Sequence, residues 1–147
     1  TSNFTFFSSA FGSNFSFTAL TVSKTLMVRT MKLSQPFHQN YCFDYTHEDG
    51  WETGDAIESI ASYTEIIEFH SNLKNHLINI VEHFQIKQEL VEQEFLLPII
   101  TLISGGTINM TIGGIHNGKI YVVDNGDFGI IYICESLEKF IENLYLF

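Results

Sequence analysis

Residues 107–134 have the sequence TINMTIGGIHNGKIYVVDNGDFGIIYIC, and this stretch decides the class of fold that we expect. Apolar and polar residues alternate over 107–112, as they do in a strand with one buried face. Asn117-Gly118 and Asn125-Gly126 are dipeptides typical of tight hairpin turns, and an apolar run follows each of them. The stretch therefore predicts an antiparallel meander with strands at 107–112, 119–123 and 128–134.

Further elements are predicted upstream of the meander. Tyr41–Tyr45 and Leu97–Ser104 have the composition of strands, and Ser62 with Glu65 forms a capping-box pattern at the start of a helix. The apolar residues that follow recur at helical spacing and define one face: Ile66, Phe69, Leu73, Leu77, Ile80 and Phe84. An interruption of this helix near His70 is one possibility that the sequence leaves open, and 86–94 is predicted as a short helix or turn.

A last helix is predicted at the C-terminal end of the sequence. Ser136 is its expected N-cap, and the apolar stripe consists of Leu137, Phe140, Ile141 and Leu144. Strands and helices are segregated along the chain rather than alternating. The expected class is therefore α+β, an antiparallel meander sheet with helices packed mainly on one side.

Charge divides the 147 residues unevenly. All 17 carboxylates lie in residues 44–147, which carry only four lysines, whereas residues 1–43 carry three cations and no acid. An acidic main segment argues against binding to nucleic acid or to an anionic membrane. It favours a basic protein partner or simple solubility.

The same boundary predicts the domain organisation. Residues 1–40 form an acid-free, Phe/Ser-rich segment whose status the sequence leaves open, and 41–147 form the domain. The alternation over 14–22 suits a strand, and the competing interpretation is an extension without fixed structure. Cys42 and Cys134 do not make a disulfide framework, and two buried thiols in a reducing compartment are the expectation. No secretory signal or membrane-spanning run is recognised, so we expect a cytoplasmic protein.

Patterns that would carry catalysis or bind metal are weak. His76 and His83 are seven residues apart, which places them two helical turns from each other, about 10 Å at 1.5 Å per residue. Asp124 and Asp127 flank a predicted turn but lack the regular oxygen ligands of a calcium loop. No phosphate-binding loop and no nucleophile signature is present. The expectation is a protein that is not an enzyme and needs neither a cofactor nor a metal.

One group of residues stands out as a candidate binding site. Carboxylates cluster around the single tryptophan in the segment 47–55, which is predicted as a polar loop; the candidate partner-binding residues are Glu48, Asp49, Trp51, Glu52 and Asp55. Such a loop is either an ordinary solvated loop or a docking surface for a basic protein. In the second case the indole is the anchor and the carboxylates steer the partner.

Four short motifs follow one another in the second half of the chain: Leu96–Ile99, Gly105-Gly106, Gly118–Asp124 and Ile133–Leu144. Their order resembles the SUKH superfamily of Smi/Knr-type domains, in which a Leu-Pro-Ile-type strand, a Gly-Gly turn, a Gly-Lys-Val-Tyr-type strand and a Ser-Phe-x-x-Phe-type helix succeed one another. The segment Asp55–Glu68 also resembles the strand that leads into the Ser-x-x-Glu-Ile helix of the family. The resemblance covers roughly residues 41–147, and residues 1–40 lack the opening helix and turn of the family.

The resemblance implies a non-enzymatic α+β domain without a cofactor. Bacterial members mostly act as immunity proteins that bind and block a cognate toxin, often a nuclease or deaminase. The leading hypothesis is therefore an immunity protein whose acidic surface binds a basic toxin. The alternative is a regulatory scaffold of the Smi/Knr type, which acts through protein–protein contacts in a larger assembly. Neither the partner nor the oligomeric state follows from the sequence.

Overall fold

The computed structural model describes residues 20–27, 41–80, 96–124 and 129–146, with the backbone alone over 74–80. Within these ranges the chain forms seven strands and three helices. In chain order they are α1 (20–27), β1 (Tyr41–Thr46), β2 (Glu52–Ile60), α2 (Tyr63–Ile80), β3 (Leu96–Leu102), β4 (Thr107–Thr111), β5 (Ile120–Val123), β6 (Ile130–Cys134), α3 (Leu137–Glu142) and β7 (Tyr145–Leu146).

The seven strands form one antiparallel sheet in the order β6-β5-β4-β3-β2-β1-β7. Strands that are consecutive in the chain are neighbours, except that β7 returns to pair with β1 at the other end of the sheet. β1 also approaches β6, although four strands separate them in the sheet. The sheet is therefore curled, and the predicted α+β class with an antiparallel meander is confirmed.

One face of the sheet carries the core. Residues opposite each other in an antiparallel ladder share a face, and the pairs Ile57–Leu102, Ile100–Ile108 and Val122–Ile131 are all buried. We call this the inner face. Burial of a Leu or Ile side chain contributes roughly 1.5–3 kcal/mol, so these pairs are a main source of stability.

Two helices cover the inner face. The ring of Phe140 in α3 lies 5.2 Å from that of Phe43 in β1, in an edge-to-face arrangement. Val22 and Leu26 of α1 belong to the same buried cluster, and they lie four residues apart, on one face of the helix. α2 lies beside β3, where His70 Nδ1 is 2.7 Å from the carbonyl oxygen of Leu96.

Local sequence patterns correctly predicted where two helices begin. Ser62 Oγ accepts a hydrogen bond from the Glu65 N–H at 3.3 Å, and the Glu65 carboxylate accepts one from the Ser62 N–H at 3.3 Å. This is the predicted capping box. Ser136 Oγ accepts a hydrogen bond from the Lys139 N–H at 3.2 Å, as expected of an N-cap. α2 continues through His70 without a break.

Other predictions were wrong in detail. Residues 20–22, expected within a strand, are the start of α1. The Asn117-Gly118 turn belongs to a longer loop in which the Gly113 N–H donates to Asn117 Oδ1 at 2.6 Å, because Gly113 and Gly114 have positive φ and extend the reversal. Leu144 lies beyond α3, since the helix ends at Glu142 and the chain turns into β7. The predicted turn at 125–126 and the element at 86–94 lie outside the described residues.

Gly106 allows two strands to approach closely. A Cβ atom at this position would lie 2.8 Å from the carbonyl oxygen of Val123, which is a backbone atom. A side chain here would therefore push β4 away from β5. The Gly105-Gly106 pair, expected in a turn after a strand, forms the tight connection from β3 to β4.

Candidate protein-binding surface

The candidate site is built on the β1–β2 hairpin. The His47 N–H donates to the Trp51 carbonyl at 2.7 Å, and the Gly50 N–H donates to the His47 carbonyl at 2.9 Å. Gly50 has a φ of +89°, a conformation that side-chain-bearing residues rarely adopt. Asp49 Oδ1 accepts a hydrogen bond from the Trp51 N–H at 3.0 Å. These three bonds fix the turn, which holds Trp51 beside the Asp49 carboxylate.

Aromatic rings extend from the core to the end of this hairpin. The centroids of Phe43 and Tyr45 are 5.7 Å apart, those of Tyr45 and His47 are 5.3 Å apart, and those of His47 and Trp51 are 5.0 Å apart. We call these four residues the aromatic ladder. Alternate residues of a strand point to the same face, so the ladder continues the inner face beyond the core.

The ladder changes from buried to exposed at its last member. Phe43, Tyr45 and His47 are all buried, the last with 7% of its surface exposed, whereas Trp51 is 58% exposed. The indole and the His47 ring are nearly parallel, with 23° between their planes. A large exposed aromatic side chain is thus supported from beneath by a buried one.

The structure places the predicted acidic residues on different sides of the hairpin. Glu48 and Asp49 are exposed in the turn. Glu52 is paired with Thr46, so its side chain lies on the face opposite the aromatic ladder. Asp55 is half-buried, and its Oδ2 accepts a hydrogen bond from Ser104 Oγ at 2.5 Å. Glu52 and Asp55 belong to β2, so the predicted loop over 47–55 is wrong for its second half.

Further residues on and beside β1 were not among the predicted site residues. Burial raises the pKa of Tyr45, and the negative charges of Asp124 and Asp55 raise it further. Tyr145 donates a hydrogen bond to Asp44 at 2.8 Å, and this bond raises the pKa of its phenol. Burial is the largest cause of the first shift, and the hydrogen bond to Asp44 is the largest cause of the second. The alternation of Phe43, Tyr45 and His47 was visible in the sequence, but the proximity of Asp124 depends on the curl of the sheet.

Cations are scarce along this part of the chain. Residues 33–73 contain no Lys or Arg. The same range contains eight carboxylates: Asp44, Glu48, Asp49, Glu52, Asp55, Glu58, Glu65 and Glu68. This stretch, which includes the β1–β2 hairpin, is therefore strongly acidic, and it attracts positively charged groups.

The cysteines and histidines of the described chain provide no second candidate. Burial raises the pKa of the Cys42 thiol, as do the charges of Asp44 and Asp55, and both cysteines are free thiols. Within the described ranges no three His, Cys, Asp or Glu side chains form a group that could hold a metal ion. The side chain of His76 lies outside the described residues, as do His83 and Asp127.

No protein-family model matches the chain, and no curated protein matches it significantly. In the described parts of the chain no helix is both long enough and apolar enough to cross a membrane.

Proposed function

We propose that the protein is a non-enzymatic binding domain that receives a basic protein on the end of its β1–β2 hairpin. The single observation that carries this proposal is the exposure of Trp51, which is 58% accessible while its ring is stacked on buried His47. Tryptophan is the residue most enriched among interface hot spots. A side chain held in place by its neighbours loses little conformational entropy when a partner covers it.

Charge supports a basic partner. Glu48 and Asp49 are exposed next to the indole, and Asp55 and Asp124 lie near the base of the ladder. Carboxylates around a hydrophobic anchor speed the encounter with a positive surface and disfavour negative ones. Nucleic acid and anionic membranes are negative, so they are poor partners for this face.

The resemblance of residues 41–147 to SUKH domains suggests the class of partner. In this proposal the protein is an immunity protein, the partner is a cognate toxin of the nuclease or deaminase type, and the two meet in the cytoplasm. Such a toxin needs a basic surface to bind its own nucleic-acid substrate. An acidic hairpin with an aromatic anchor competes for that surface without any catalytic step, cofactor or metal.

Affinity capture from the native cell tests the proposal. The full chain and its Trp51→Ala variant are immobilised separately, and the retained proteins are identified by mass spectrometry. The proposal predicts one basic toxin that the wild type retains and Trp51→Ala loses, and a toxin-dependent growth defect that only the wild type relieves. Capture of a set of housekeeping proteins without a toxin would favour the Smi/Knr-type scaffold instead. Equal capture by both chains would contradict a site at Trp51.

A further inference from the structure

We infer that the exposed indole of Trp51 binds an arginine side chain of the partner, with the guanidinium stacked on the ring and paired with the adjacent carboxylates. This inference rests on the proposed function and specifies the chemistry of the group that the hairpin recognises. It applies equally to a toxin and to any other basic protein that presents arginine on its surface.

The indole is available as a flat platform. One of its faces lies on His47 at 5.0 Å, and more than half of the side chain is in contact with solvent. Flat aromatic surfaces of this kind bind cations and planar groups through the negative potential of the ring face, and tryptophan does so best.

The platform is held in position before any partner arrives. His47 is 7% exposed and is enclosed between Tyr45 and Trp51. One backbone hydrogen bond links His47 to Trp51 across the turn, at 2.7 Å from nitrogen to oxygen. A rotation of the indole would break its stacking on His47. A preformed site of this kind lowers the entropic cost of binding.

A carboxylate is fixed next to the platform. Asp49 Oδ1 accepts a hydrogen bond from the backbone N–H of Trp51 at 3.0 Å, so the carboxylate cannot move away from the backbone of this residue without breaking that bond. Glu48 is exposed in the same turn. A positive group on the indole therefore has negative charge in the same turn as well as the ring beneath it.

Guanidinium fits this arrangement better than ammonium does. It is planar and weakly hydrated, so it stacks on an aromatic face while its N–H groups donate to a carboxylate in the same plane. An ammonium group is compact and strongly hydrated, and it gains less from a flat ring. The hairpin should therefore distinguish arginine from lysine, which a purely electrostatic surface does not do.

Trp51 is the only tryptophan of the chain, so its fluorescence reports on this site alone. Two unstructured peptides of equal length and charge serve as probes, one alternating glycine with arginine and the other alternating glycine with lysine. Each is titrated into the full chain at low ionic strength. Trp51 emission and calorimetry are followed for the wild type, and calorimetry for Trp51→Leu. The matched control is Tyr132→Phe, which changes another exposed aromatic residue, on β6.

The expected result is an affinity about tenfold higher for the arginine peptide than for the lysine peptide, with a change in Trp51 emission. Tyr132→Phe should retain this ratio, and Trp51→Leu should bring it close to one. Equal affinities in the wild type would overturn the inference but leave an acidic docking surface in place. A ratio unchanged in Trp51→Leu, or no binding of either peptide, would also overturn it. Whatever the outcome of the peptide titrations, affinity capture from the native cell tests the proposed function independently.

Discussion

The rings of His47 and Trp51 lie 5.0 Å apart and within 23° of parallel, at the point where the inner face of the sheet emerges into solvent. The first ring is buried and the second is 58% exposed. This stacking connects the hydrophobic core to the surface through Tyr45 and Phe43. It makes the end of the hairpin an ordered extension of the core rather than a solvated loop.

Truncation of Trp51 should affect binding far more than stability. Trp51→Ala removes one stacked pair at a solvent-exposed position, and we expect a loss of about 1 kcal/mol in the free energy of unfolding. Loss of a tryptophan hot spot typically costs 2 kcal/mol or more in binding. Urea unfolding followed by circular dichroism measures the first quantity. A loss of stability above about 3 kcal/mol would mean that the residue is primarily structural.

The contact between Phe43 and Phe140 should be a main determinant of stability. Both side chains are at least 98% buried, and their rings meet edge to face at 5.2 Å. We expect each single change to alanine to cost about 3–5 kcal/mol. A double-mutant cycle should give a coupling energy of about 0.5–1.5 kcal/mol. Strict additivity of the two changes would contradict a direct contact between β1 and α3.

Helix α1 should contribute to the same core. Leu26 is completely buried in the cluster that includes Phe43 and Phe140, whereas its neighbour Met27 is 57% exposed. We expect Leu26→Ala to cost about 2–5 kcal/mol and the control Met27→Ala less than about 1 kcal/mol. If chemical unfolding gave equally small losses of stability for Leu26→Ala and Met27→Ala, the acid-free segment would not contribute to the core. Expression of residues 36–147 alone extends the test, and we expect that fragment to be markedly less stable than the full chain.

Alkaline pH should weaken the interaction between Tyr132 and Glu135. The Tyr132 hydroxyl donates to Glu135 Oε1 at 2.5 Å. This bond, together with smaller effects of burial and nearby negative charge, raises the pKa of Tyr132 from the ordinary 10.0 to about 12. Because the pKa of Tyr132 is higher in the folded chain than in the unfolded chain, its protonated hydroxyl stabilises the fold. This contribution is complete below the unfolded-state pKa and is lost as the pH rises through the folded-state pKa. The stability advantage over Tyr132→Phe should therefore shrink between about pH 10 and pH 12. A constant difference in unfolding midpoint across that range would contradict the hydrogen bond.

Local patterns in the sequence predicted much of this fold, and long-range contacts account for what was missed. The capping box of Ser62 depends on residues three apart, so the sequence alone located it. β7 contributes only Tyr145 and Leu146, and its pairing with β1 joins residues about one hundred positions apart. Residues 20–22 belong to a stretch whose weak polar–apolar alternation suggested a strand. The burial of Val22 and Leu26 in the core favours a helix over 20–27 instead.

For the candidate site, too, the sequence predicted which residues are involved but not how they are arranged. Composition alone identified Trp51 and its surrounding carboxylates, because an isolated tryptophan among acids is visible in any sequence. Their arrangement was not visible. The pleat of β2 directs Glu52 to the face opposite the aromatic ladder. The β3–β4 turn brings Ser104 to Asp55. The stacking of His47 beneath the indole depends on the Gly50 turn, so it could be recognised only in three dimensions.

Association kinetics with the captured partner test the central claim most directly. The hairpin variant carries Glu48→Lys, Asp49→Lys and Glu52→Lys, and the matched control carries Glu68→Lys, Glu138→Lys and Glu142→Lys on α2 and α3. Both variants have the same net charge. We predict that the hairpin variant associates at least about tenfold more slowly at low ionic strength, that its rate depends less on salt, and that the control stays within about twofold of the wild type. If the hairpin variant associated at the wild-type rate, or if both variants were slowed equally, the β1–β2 hairpin would not be the binding surface.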